Sequence, residues 1–130
     1  MEQLLQLILN TINRGESEMK YPYSFKRGPH GFLMIELPKE IELFSDFIEQ
    51  IALEEEADEF INIIDKVIDG THDEYEIFFN APTVTIKPDF TTVFNEFLID
   101  PPFEQKIETK EFRKLILIWK EKLPERSPNR

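Results

Sequence analysis

Asp73-Glu74-Tyr75-Glu76-Ile77-Phe78-Phe79-Asn80-Ala81-Pro82-Thr83-Val84-Thr85-Ile86 is the run that decides the fold. Before it, apolar residues recur at helical spacing; within it they alternate. Tyr75, Ile77 and Phe79 fall on one side of the chain, Glu74 and Glu76 on the other. That period of two belongs to a strand with one buried face. Asn80-Ala81-Pro82 reads as a turn. Thr83 to Lys87 resumes the alternation, with Val84 and Ile86 set against threonines in a β-branched run. Pro88-Asp89 makes a second turn, and Phe90 to Phe97, with Thr91, Thr92 and Val93, a third strand. The spacing predicts a three-stranded meander.

Downstream, Asp100-Pro101-Pro102 is a loop, because proline suits neither helix interior nor central strand. Thr109 is placed to cap a closing helix whose first turn holds Glu111. Phe112, Leu115, Ile116, Trp119 and Leu123 share one face of it, widened by Leu117 and Ile118, and Pro124 stops it. Upstream, Ile41, Phe44, Phe47, Ile48 and Ile51 form one apolar face, and Phe60, Ile61, Ile64, Val67 and Ile68 a second. Glu54-Glu55-Glu56-Ala57-Asp58-Glu59 interrupts the pattern between them. Two helices over 39–53 and 56–69 are expected, or one long bent helix, ending at Gly70. Tyr21 to Lys26 and Phe32 to Leu37 flank Arg27-Gly28-Pro29-His30-Gly31, a hairpin signature. Leu4, Leu5, Ile8, Leu9 and Ile12 predict a first amphipathic helix over 2–13, stopped at Arg14-Gly15. The expected class is α+β: an antiparallel sheet, N-terminal hairpin plus three-stranded meander, covered by about four helices. A single domain over 1–124 and a flexible C-terminal tail over 125–130 are expected.

The 130 residues carry a net charge of −11. That argues against nucleic acid and against anionic membranes, both of which need clustered Lys and Arg. Basic proteins or cations are the natural partners. With no cysteine, disulfides, thiolate zinc sites and thiol nucleophiles are excluded together, and a cytoplasmic setting fits. The first residues lack the basic start of a signal peptide, and no apolar run is long enough to span a bilayer.

The charge is polarised. Glu54, Glu55, Glu56, Asp58, Glu59, Asp65, Asp69, Asp73, Glu74 and Glu76 stand against Lys66 alone, about −9 by formal charge. The mildly basic C-terminal part begins near Lys106. Repulsion among close acids costs stability that a basic partner relieves. Glu54, Glu55, Glu56, Asp58, Glu59, Asp69, Asp73, Glu74 and Glu76 are therefore the expected partner-binding residues; a merely solvated surface is the plain alternative. No calcium-loop pattern accompanies them, and no metal or cofactor is expected. Catalytic motifs are missing too. His30 sits in a turn and His72 beside Asp73, neither with a local nucleophile, and no serine has a G-x-S-x-G context. A non-enzymatic binding protein is the expectation.

Three stretches carry a family resemblance: Tyr21-Pro-Tyr-Ser-Phe25 followed by Gly31-Phe-Leu-Met-Ile-Glu-Leu-Pro38; residues 73–86; and Ile107-Glu-Thr-Lys-Glu-Phe-Arg-Lys-Leu-Ile-Leu-Ile-Trp-Lys120. Together they resemble small bacterial immunity proteins of polymorphic and contact-dependent toxin systems. The resemblance implies a cytoplasmic protein that binds and neutralises one cognate toxin domain. Many such toxins are nucleases, whose basic substrate groove an acidic protein can occlude. A regulatory module with a different basic partner is the alternative.

Overall fold

The computed structural model describes residues 18–78 and 82–128. The helix expected over 2–13 lies outside them, as does Phe79. Strand β1 (Ser24–Arg27) pairs antiparallel with β2 (Leu33–Glu36), Phe25 opposite Ile35. Gly31 turns between them at φ +88°, a conformation that favours glycine. A 3-10 turn (Lys39–Ile41) and helix α1 (Phe44–Glu49) follow, then helix α2 (Glu54–Ile68). Strands β3 (Tyr75–Phe78), β4 (Thr83–Ile86), β5 (Phe90–Phe94) and β6 (Glu104–Glu108) form an antiparallel meander in that order. Helix α3 (Thr109–Lys122) closes the fold.

The class is α+β, with three differences from the sequence reading. The hairpin forms its own two-stranded sheet, separate from the meander. The meander gains β6, whose one buried apolar side chain, Ile107, leaves no alternation to read. The region 39–53 is broken into a 3-10 turn and the short α1. Gln105, facing inward from β6, holds that break. Its amide oxygen accepts the Leu43 N–H at 2.8 Å, and its NH2 group donates to the Lys39 carbonyl at 2.8 Å.

The meander's inner face presents Ile77, Val84, Val93 and Gln105 in one row and Tyr75, Ile86, Thr91 and Ile107 in the next. Val84, Ile86, Val93 and Ile107 are buried with Phe44, Phe47, Phe112, Leu115 and Trp119 in one core. Phe112 touches Phe44 and Phe47, with ring centres 5.6 and 5.8 Å apart. Trp119 keeps its one polar atom satisfied, donating from Nε1 to the Ile51 carbonyl at 2.9 Å. Thr109 does not cap α3 with its hydroxyl. That group meets the Thr91 hydroxyl at 2.9 Å and donates to the Lys87 carbonyl, locking the start of α3 to the β4–β5 turn.

Candidate partner-binding surface

The acidic run does not interrupt two helices: Glu54 to Glu59 are the opening turns of α2. Glu54, Glu55 and Glu56 sit in its first turn, where exposed backbone N–H groups give the helix end partial positive charge. Glu56 reaches back over the helix start to the residues just before it. Its Oε1 accepts the Ala52 N–H at 2.9 Å and the Leu53 N–H at 3.1 Å. Ala57, one position on, is fully buried.

Several other acids also have partners within the fold. Asp58 pairs with Lys120 at 2.6 Å, a hydrogen bond that raises the lysine's pKa. Asp65 takes the Arg113 guanidinium on both oxygens, at 2.7 and 3.1 Å. These pairs run antiparallel along α2 and α3. Asp69 accepts the Thr71 N–H at 2.8 Å and its hydroxyl at 2.6 Å, which holds the carboxyl below its usual range. Glu74 lies 3.9 Å from Lys87, and Glu76 accepts the Thr85 hydroxyl at 3.4 Å. Glu54, Glu55, Glu59 and Asp73 have neither hydrogen-bond nor ion-pair partners among the described residues.

The predicted residues are also divided in space. Glu54, Glu55, Glu56, Asp58 and Glu59 occupy the N-terminal end of α2; Asp69, Asp73, Glu74 and Glu76 lie past its C-terminal end and on β3. A 15-residue helix is about 22 Å long, so the acids make two patches.

A third acidic cluster is structural. Glu108 accepts from Lys20 Nζ at 2.6 Å and from the Tyr21 hydroxyl at 2.7 Å. These two bonds lower its pKa to about 2, while burial, then Glu108, pushes Tyr21 up to about 12. With Glu111 accepting the Lys20 N–H at 2.7 Å, they tie segment 18–23 to α3. His72 is half-buried beside Tyr75, with ring centres 6.0 Å apart, and His30 is exposed in the hairpin turn. A cleft of about 220 Å³ beside that turn is lined by Gly28, Pro29, His30, Phe32 and Glu49. Burial raises the Glu49 pKa although its carboxylate accepts the Ile35 N–H.

A further feature went unread in the sequence: the outer face of the meander. Cross-strand register aligns Phe78, Thr83, Phe94 and Glu104 in one row and Glu76, Thr85, Thr92 and Lys106 in the next; Phe90 stands opposite Glu108 beyond them. Phe78 is 74% exposed, and in the β5–β6 loop Phe97 is 70% and Ile99 92% exposed. The available signal was Phe78, Phe90 and Phe94, which fall on the polar side of the alternation.

No helix among the described residues is long and apolar enough to cross a membrane. No protein-family model matches the chain, and no solved structure matches it. A protein from Bacillus cereus named "Immunity protein" is 33% identical to it over 108 residues, covering 82% of this chain and 92% of that protein.

Proposed function

This chain belongs to the immunity-protein family of its Bacillus cereus relative, and we propose that it binds and neutralises one cognate secreted toxin domain, in the cytoplasm, as part of a polymorphic or contact-dependent toxin system. The observation that carries the reading is the likeness to that relative across most of both chains. The charge supplies a mechanism. At −11 the protein is drawn to a cationic surface, and a nuclease groove built to hold phosphates is one. Among the described residues the exposed carboxylates of Glu55, Glu59 and Asp73 have no hydrogen-bond or ion-pair partner, and Glu54 meets Lys120 only at longer range, so a basic toxin surface gains most of their attraction. Inhibition then follows from occlusion: the protein covers the groove and substrate cannot enter.

The test is co-expression with the toxin domain encoded beside this chain's gene, followed by a nuclease assay on the purified pair. Protection of the cells and loss of nucleic-acid cleavage at equimolar protein are expected. Survival that does not depend on this chain removes the reading. Binding without protection points to the alternative, a regulatory module with a basic partner.

A further inference from the structure

Resting on that reading, we propose that the toxin is held on the open outer face of the meander, by an apolar centre of phenylalanine rings inside an acidic border, and that α2 serves to attract and not to hold. An antiparallel sheet with one face packed on a core ordinarily turns polar residues outward. Thr83, Thr85 and Thr92 obey this; Phe78, Phe90 and Phe94 do not. The loop from β5 to β6 adds Phe97 and Ile99 at the end of the sheet where Phe78 and Phe94 lie. Exposed rings gathered in one region mark interaction sites, and aromatic residues, phenylalanine among them, are enriched at the buried centres of protein interfaces.

The border decides the occupant. Glu76 and Glu104 stand on the face itself, and Glu96 and Asp100 in the adjoining loop. Glu96, Asp100 and Glu104 have no ion-pair partner among the described residues. Lys106 stands on the face too, 4.6 Å over the Phe90 ring, and Lys87 in the β4–β5 turn faces Glu74, so the carboxylates outnumber the cations here. A complementary surface therefore has an apolar centre ringed by Lys and Arg. A second copy fits less well, because Glu76, Glu104, Glu96 and Asp100 outnumber Lys106 here and a two-fold contact brings two surfaces of the same net sign together. A toxin with a basic groove fits. Rings buried at the centre slow dissociation, while the α2 carboxylates, outside the contact, speed encounter.

The experiment measures binding of the full chain to the catalytically inactivated toxin domain encoded beside its gene. It compares Phe78→Thr/Phe94→Thr, Phe97→Ser, and Glu54→Gln/Glu55→Gln/Glu59→Gln. Threonine preserves strand preference, and Phe97 lies in a loop, so one of the first two reports even if the other misfolds. The expected result is a loss of at least roughly 30-fold in affinity for the double variant, in the dissociation rate, with an unchanged unfolding midpoint. The glutamine variant is expected to slow association alone. If the wild type binds and only the glutamine variant loses affinity, this inference fails and the immunity reading stands. No binding by the wild type sinks both. A wild-type dimer that Phe78→Thr/Phe94→Thr converts to monomer assigns the face to a second copy and overturns the proposal.

Discussion

Helix α2 and the outer face of the meander both depart from an ordinary protein surface, one by charge and the other by aromatic rings. The fold treats them differently. On α2, Glu56 reaches back over the helix start, and Asp58 and Asp65 bind Lys120 and Arg113 of α3. On the outer face, Phe78 and the adjoining Phe97 remain largely exposed. The lesson is that an excess in sequence points to function only after the fold's own uses are taken out. Half-exposed ion pairs contribute about 1 kcal/mol or less, yet they are enough to answer part of what looked like an unsatisfied acidic patch.

Three further measurements test that contrast. The largest effect belongs to strand β5, whose two faces should respond oppositely. Val93→Asp puts an unpaired carboxylate into the core and should cost about 3–5 kcal/mol or abolish folding. Thr92→Asp, one residue away on the outer face beside Lys106, should cost about 1 kcal/mol or less by urea unfolding. Equal costs would mean that the outer face is not open.

Within α2 the separation of engaged from free acids gives a smaller effect. Glu56→Ala should lose about 0.5–1.5 kcal/mol, since two backbone N–H groups lose their acceptor. Glu55→Ala should change stability by less than about 0.5 kcal/mol. If chemical denaturation ranks them the other way, the division drawn along the helix is wrong.

The smallest effect is pH dependence at Glu108. Its folded-state pKa of about 2 lies below the ordinary 4.5, so the folded state binds fewer protons there. The stabilisation is complete above about pH 4.5 and is lost as pH falls toward 2. Glu108→Gln should flatten the thermal midpoint across that window. An unaltered slope would show that Lys20 and Tyr21 do not hold this carboxylate in solution.

Legibility followed the range of the interactions. The hairpin, the inward Val84 and Ile86, and the closing helix through Trp119 could be read because each repeats a local period. Strand β6 could not, since only Ile107 of its five residues is a buried apolar side chain and its evidence is the pairing with β5. The acid run misled because local pattern treats charge as a break in an apolar stripe, whereas a helix N-terminus favours it. The acids themselves were visible by position; their partners were not, because Asp58–Lys120 and Asp65–Arg113 are contacts between residues far apart in sequence. Phe78, Phe90 and Phe94 suit a core by residue type although they fall on the polar side of the alternation, and strand register with the other strands puts all three on the outer face.

The sequence by itself determined the hairpin, the first three meander strands and the closing helix, the inward turn of Val84 and Ile86, and that the molecule is acidic. Those are properties of neighbouring residues and of composition, fixed by sterics and by the periods of helix and strand. The tertiary structure decided which acids the fold engages, how α2 separates the rest into two patches, and that, among the described residues, the outer meander face carries exposed aromatic rings. Those outcomes depend on long-range pairing, which no local period encodes.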